Sequence, residues 1–266
     1  MSKVKIKLYG ERNTGTRYLE RLLRLNLDAE LLRGSVPIRL QRLFRYNEDL
    51  RDLFFWLTYR RNLGWKHAMA PDPGTAARAR GGCESLVFVT LTKNPYSWLL
   101  SLYRRPYHFG GELSSFAEFL VSPWSTVRRE RAGDGFRSPV DMWNQKNRAY
   151  LRLYELGRVD NLRYEDLLAD PEGTISRLCS RFSIERKSPR FLNVTESTKD
   201  RHRKDHDYYR RYYLEEQWRS ELDREHLGII NRSLDVELLR AFGYEKIDDV
   251  GAGGSAPAKG ERSSPR

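Results

Sequence analysis

VKIKLYGERNTGTRYLERLLRLNL, residues 4–27, carries three structural signals in a row. Val4 to Tyr9 alternates apolar and basic side chains, the two-residue period of a strand. GERNTGT, residues 10–16, follows with two glycines and turn-forming polar residues. Leu19, Leu22, Leu23 and Leu27 then recur at the spacing of one helical face. Strand, loop and helix are thus read in immediate succession.

The same order returns twice further along the chain. SLVFVTL, residues 85–91, is the continuous apolar run of a strand buried on both faces, and it leads to Asn94 as an N-cap with Pro95 at the first helical position. Arg158 to Tyr164 reads as a third strand. Asp170 then caps a helix that begins at Pro171 and gathers Ile175, Leu178, Cys179 and Phe182 on one face. Three such units predict an α/β fold, a parallel central sheet flanked by helices. PDPGTAARARGGCE, residues 71–84, reads as a long loop between two elements of one domain. The closing GAGGSAPAKGERSSPR, residues 251–266, reads as a flexible tail, so the folded domain is expected over residues 1–250.

Composition narrows the function classes. Of 266 residues, 39% are hydrophobic and 12% aromatic, enough for a sizeable core and too much for a disordered chain. Lys and Arg number 48 against 36 Asp and Glu, a formal charge of +12 that attracts anions: nucleic acid, acidic lipid, glycans or phosphorylated cofactors. Two cysteines, Cys83 and Cys179, build neither a thiolate zinc cluster nor a disulfide framework, which fits a reducing compartment. The first residues lack a signal-peptide core, and no run of about 18 apolar residues offers a transmembrane segment. The expectation is a cytoplasmic protein, at most peripheral to a membrane.

Four places carry candidate chemistry. GERNTGTR, residues 10–17, has the GxxxxG spacing of a phosphate loop between strand and helix, where backbone amides and the helix dipole favour an anion. Thr16 and Arg17 stand where a nucleotide triphosphatase needs Lys and then Ser or Thr, which weakens an ATPase reading. Glycine-containing turns also precede helices for purely structural reasons. Lys93 ends the second strand and Ser101 lies two turns into the next helix, so both reach one anion at a strand end; a solvated Lys93 beside a tolerated Ser101 is the plain alternative. Lys66 and His67 follow Trp65, and a histidine suits proton transfer near neutral pH, although a lone histidine is more often structural. The run TKDRHRKDHDYYRRYY, residues 198–213, interleaves basic residues with four tyrosines. That pattern fits anion contact, single-stranded nucleic acid or a solvated helical face. No RNA module or helix-turn-helix signature is visible, and nucleic acid is not expected as a partner.

Taken together these segments resemble the sulfotransferases that use 3′-phosphoadenosine 5′-phosphosulfate, PAPS. NTGTR at Asn13 to Arg17 looks like the family's 5′-phosphosulfate loop, and KNPYSWLLS from Lys93 to Ser101 matches the spacing of its 3′-phosphate motif. YEDLLADP, from Tyr164 to Pro171, is similar to the segment whose tyrosine lies near the adenosine. Lys66 and His67 resemble the family's catalytic KTH, one residue shorter. The resemblance implies that Arg12, Asn13, Thr14, Gly15, Thr16 and Arg17 hold the phosphosulfate. It likewise implies Lys93, Ser101, Tyr164, Lys199 and Arg201 at the 3′-phosphate and adenosine, with no metal. His67 would take the acceptor proton, with Glu11 as the alternative base and Lys66 beside it. Asn13 replaces the loop's lysine or arginine, which leaves Arg12 or Arg17 to meet the sulfuryl group, and Lys93 replaces an arginine, keeping the charge without the bidentate fork. The implied reaction moves a sulfuryl group to a hydroxyl or amine of a glycan, a lipid-linked sugar or a small molecule. A small-molecule P-loop kinase and a noncatalytic anion-binding relative are the alternatives.

Overall fold

The computed structural model describes residues 3–45, 47–80, 85–108, 113–194 and 205–249. The tail expected at 251–266 and the basic residues Lys199, Arg201 and Arg203 lie outside these, as does Cys83. Strand β1 (Lys5–Gly10) runs into helix α1 (Thr16–Asn26), and a two-residue strand β2 (Glu30–Leu31) follows. Helices α2 (Ile38–Leu43), α3 (Glu48–Asn62) and α4 (Pro73–Arg80) precede strand β3 (Leu86–Thr92), which feeds α5 (Pro95–Arg104). Helices α6 (Phe116–Val121) and α7 (Pro139–Arg152) lead to strand β4 (Val159–Arg163). The chain finishes through α8 (Tyr164–Ala169), α9 (Pro171–Phe182), α10 (His206–Leu214), α11 (Arg224–Ser233) and α12 (Val236–Ala241).

All pairings are parallel, in the order β2-β1-β3-β4. This is the α/β sheet flanked by helices that the sequence predicts. From β1 the chain runs outward to β2 on one side and then returns to β3 on the other, so the strand order reverses between β1 and β3. Open α/β sheets bind ligands outside the strand ends at such a point. The register sets Gly10 opposite Leu91, and the loop after β1 and Lys93 after β3 therefore emerge side by side. Helix α1 packs with α9, while α5 packs with α6 and α7.

The expected caps are present. Asn94 accepts from the amide of Tyr96 and Asp170 from that of Gly173, each worth about 1 kcal/mol. Two expectations need correction. The loop expected at 71–84 contains α4, because Pro73 opens a helix whose start is held by the Asp72 side chain accepting from the Thr75 amide at 2.8 Å. The strand expected to reach Tyr164 stops at Arg163, and a separate short helix, α8, precedes the cap at Asp170. Among the described residues no helix is long and apolar enough to cross a membrane.

One residue departs from the alternating reading of β1. Lys7 is fully buried, and its ammonium donates to the carbonyls of Asn62, at 2.7 Å, and Gly64, at the end of α3. Burial lowers its pKa from 10.5 to about 7, with Glu20 opposing the shift and Lys66 adding to it. Above pH 7 the unfolded chain holds a proton on this group that the folded chain has released, so this residue's contribution to stability rises with pH. The stability of the wild type minus that of Lys7→Met is expected to increase by about 2 kcal/mol between about pH 7 and 9. Urea denaturation at the two pH values measures it, and an unchanged difference would show that Lys7 keeps its ordinary pKa.

Candidate functional site

The loop after β1 is shaped by a close contact that leaves no room for a side chain at Gly15. Gly15 has φ +88°, and a Cβ there would stand 2.5 Å from the ring of Tyr164. Asn13 also takes a left-handed conformation, φ 66°. The Thr14 hydroxyl turns back to the Glu11 carbonyl at 2.6 Å, and the Trp98 indole donates to the Arg12 carbonyl at 2.8 Å. Gly15 is the N-cap of α1, no side chain caps the helix, and no acidic residue occupies its first turn. The helix start keeps the positive end that favours an anion.

A cleft of about 770 Å³ opens against this loop. Arg12, Asn13, Gly15, Thr16, Arg17, Lys66 and His67 all line it, so seven sequence-predicted residues share one space. Thr14 and Glu11 lie beneath it. The Arg12 guanidinium sits between two aromatic faces, 4.1 Å from the ring centre of Tyr107 and 5.0 Å from that of Trp65. Burial pushes its pKa below the ordinary value, partly offset by Tyr107 and Glu11. Arg17 is exposed at the rim. Lys66 is already paired, with Glu20 at 2.7 Å.

His67 has a fixed orientation. Its Nδ1 is 2.6 Å from the Gly10 carbonyl, which can only accept, so the neutral ring carries its proton there and leaves Nε2 as the lone-pair nitrogen. Burial, then Lys66, holds its pKa well below the ordinary histidine value, against the opposing pull of the Gly10 carbonyl. The His67 ring is thus neutral at pH 7. Glu11 is differently engaged. Its carboxylate accepts from the Arg12 amide and the Tyr107 hydroxyl, each at 2.5 Å, and is paired with the Lys146 ammonium.

Lys93 and Ser101 meet, Nζ to Oγ 2.9 Å, and the solvated alternative for Lys93 does not hold, since it is 1% exposed. Its ammonium lies 3.7 Å from the ring centre of Tyr213 and 5.3 Å from that of Tyr164. Among the described residues no carboxylate is within ion-pair distance of it, and burial lowers its pKa well below the ordinary value, with Glu165 opposing. Tyr164 touches both halves of the region, Gly15 on one side and the Lys93 ammonium on the other. The tyrosines of the basic run point inward: on α10, Tyr212 and Tyr213 are buried, and the Tyr213 hydroxyl is 3.1 Å from Ser101 Oγ.

Four residues escaped the sequence reading. Tyr107 supports Arg12 and Glu11, and His108 lines the cleft with Nε2 3.4 Å from Arg12, its pKa lowered to about 4 by burial and then Arg12. Lys146 and Glu130 complete a buried cluster in which the Lys146 ammonium is shared by Glu11, Glu130 and, at 2.8 Å, the His67 carbonyl. Burial acts against the Lys146 charge, but the two carboxylates outweigh it and raise its pKa. A signal was available: Trp143, Lys146, Asn147 and Tyr150 fall on one face of α7, and a lysine at a core position of a helix needs a buried partner. No group of three or more His, Cys, Asp or Glu suited to a metal occurs among the described residues.

Residues 93–188 match the family model described as Sulfotransferase family. The match bears out the resemblance to sulfotransferases at the level of the family, and it includes Lys93, Ser101 and Tyr164 but not the loop after β1. Sulfuryl transfer is the chemistry that the family supports in general. No curated protein matches the chain in sequence. Among solved structures, a sulfotransferase from Alicyclobacillus acidocaldarius is 15% identical over 92% of this chain and 98% of its own, with a TM-score of 0.44. The sulfotransferase domain from the curacin biosynthetic pathway is 15% identical over 92% of this chain and 99% of its own, at 0.42. The sulfotransferase domain from the Synechococcus PCC 7002 olefin synthase is 14% identical over 87% and 94%, at 0.36.

The Lys146 cluster generates a stability prediction. Removing the ammonium leaves two carboxylates facing each other in the interior, so Lys146→Met is expected to cost about 3–5 kcal/mol. Lys146→Met with Glu130→Gln should recover part of that loss, because one buried charge disappears. Urea denaturation of both variants measures it, and a double variant no more stable than the single one would refute the pairing.

Proposed function

We propose that this chain transfers a sulfuryl group from PAPS to a hydroxyl or amine of an acceptor. The observation that carries the reading is the pairing of two anion-ready sites across one tyrosine: the uncapped start of α1 and the buried Lys93 and Ser101, with Tyr164 between them. The donor set fits two phosphate-type groups. A buried ammonium with a serine hydroxyl and no carboxylate partner among the described residues gains from an arriving phosphate. The free amides at the start of α1, with Thr16, Arg12 and Arg17, suit a second one. When bound, the donor supplies a sulfuryl group on a good phosphate leaving group.

The chain's own part is positioning, neutralisation and removal of one proton. Arg12, held between Tyr107 and Trp65, offers a preoriented positive charge beside the loop. His67 Nε2 accepts the acceptor's proton, because Nδ1 is engaged and the ring is neutral. The engagement of Glu11 with Lys146, Tyr107 and the Arg12 amide favours His67 over Glu11 as the base. Residues 1–250 are proposed as the catalytic domain, and a glycan, a lipid-linked sugar or a small molecule as the acceptor.

Binding of the donor product is the direct test. Adenosine 3′,5′-bisphosphate at 100 times its Kd should stabilise the protein by about 2.7 kcal/mol, AMP at the same concentration should do so much less, and Lys93→Met should erase the difference. Differential scanning fluorimetry reads all three, and equal shifts from the two nucleotides would remove the 3′-phosphate assignment.

The base makes a second prediction. His67→Ala should lower turnover by roughly 10² to 10⁴ while leaving nucleotide binding intact. Because the His67 pKa is held low, the wild-type rate should stay flat over roughly pH 6 to 8 and fall only below the usual histidine range, as Nε2 takes up a proton. Normal turnover in His67→Ala, with loss in Glu11→Gln at unchanged affinity, would transfer the role to Glu11.

A further inference from the structure

Helix α3 is built the wrong way round for a helix that serves only the core. Its inward positions are Glu48, Arg51, Asp52, Phe55, Thr58, Tyr59 and Asn62, of which Phe55 and Asn62 are buried. Glu48 and Asp52 there pair with Arg129, and Glu48 also pairs with Arg51. Its outward positions carry Leu50, Leu53, Trp56 and Leu57, 41%, 47%, 76% and 66% exposed. Phe55 and the half-buried Phe54 pack with Val36, Trp65 and Ala68, but the other inward groups are polar, and the apolar stripe, with the exposed Asp49 at its start, is turned toward solvent. Ile38 and Leu43 on the neighbouring α2 are exposed as well. Exposed apolar surface of this extent marks an interaction site.

The charges around the stripe indicate what it meets. Arg39, Arg42 and Arg45 lie on and just after α2, and Arg60 and Arg61 close α3; all five are exposed. Among the described residues none of the five is in an ion pair. Leu and Trp in the centre, bordered by these five arginines against the single exposed carboxylate of Asp49 on α3, is the composition of a surface that enters the headgroup layer of an anionic bilayer. The same two helices wall the candidate site, since Ile38, Gln41, Glu48 and Arg51 line its cleft.

We propose that the α2 and α3 face docks on an anionic lipid bilayer, with Leu53, Trp56 and Leu57 entering the interface and the flanking arginines meeting the lipid phosphates. Docking turns the wall of the cleft toward the membrane, so the acceptor class that fits is one carried at a lipid surface. The docking itself does not depend on the sulfuryl-transfer reading, because it is measured without donor or acceptor.

Trp56 is a built-in probe. The chain has six tryptophans, and Trp65, Trp98, Trp124, Trp143 and Trp218 are all buried. The experiment adds phosphatidylcholine vesicles with and without phosphatidylglycerol to the full chain and follows tryptophan emission, quenching by bromine-labelled acyl chains, and co-sedimentation. Vesicles containing phosphatidylglycerol should shift the emission to the blue, brominated chains should quench it, and Trp56→Ser with Leu57→Ser should weaken co-sedimentation at least about tenfold with the fold intact by circular dichroism. Arg60→Gln with Arg61→Gln should weaken it and lessen its salt dependence. Unchanged emission, or equal binding by the Ser variant, would assign any association to net charge alone and overturn the proposal. A concentration-dependent dimer in lipid-free buffer that buries Trp56 would overturn it in favour of a second copy.

Discussion

The ammonium of Lys146 is the interaction on which the site depends. It reaches from α7 to Glu11 in the loop after β1, to Glu130, and to the backbone carbonyl of His67. Four stretches remote in sequence are thereby fixed to one point. A buried charge of this kind contributes little net stability, because desolvation offsets most of the attraction, but it penalises any arrangement in which a partner is absent. The geometry of the cleft inherits that intolerance: the carboxylate that Lys146 holds also receives the Arg12 amide and the Tyr107 hydroxyl. Tyr107 in turn stacks on the Arg12 guanidinium.

Aromatic rings perform the corresponding task around the second cation. Lys93 has no carboxylate partner among the described residues and is instead enclosed by Tyr164, Tyr213 and the Ser101 hydroxyl. Ring faces stabilise a cation less than a carboxylate does and leave it able to accept an anion. A lysine suits this enclosure because its point charge and flexible stem impose no planar geometry on the rings.

Much of this was legible in the sequence where the signal is local. The strand, loop and helix from Lys5 to Asn26, the caps at Asn94 and Asp170, and the approach of Ser101 to Lys93 follow from periodicity and spacing alone. Long-range partners were not legible. Alternation in β1 gives Lys7 no partner, yet in the fold the carbonyls of Asn62, the last residue of α3, and of Gly64 just after it take its ammonium. Lys146 and Glu130 are 16 residues apart, and their link to Glu11 across 135 residues exists only in the fold. Helix α4 was hidden because the prolines and glycines of residues 71–84 read as breakers, whereas Pro73 stands at the helix start, where proline is tolerated, Asp72 caps it, and the alanines that follow favour a helix. The inverted face of α3 escaped because periodicity reveals that a helix has an apolar side without saying which side meets the protein.

Gly15 carries a consequence at the level of the gene. With its left-handed backbone and the Tyr164 ring 2.5 Å from any added Cβ, every other amino acid here is strained and must displace the ring. Every single-base change in a glycine codon that alters the residue introduces a Cβ or a stop. Apart from synonymous third-base changes the position has no neutral neighbour in codon space, so drift of the residue is closed by geometry unless Tyr164 gives way first.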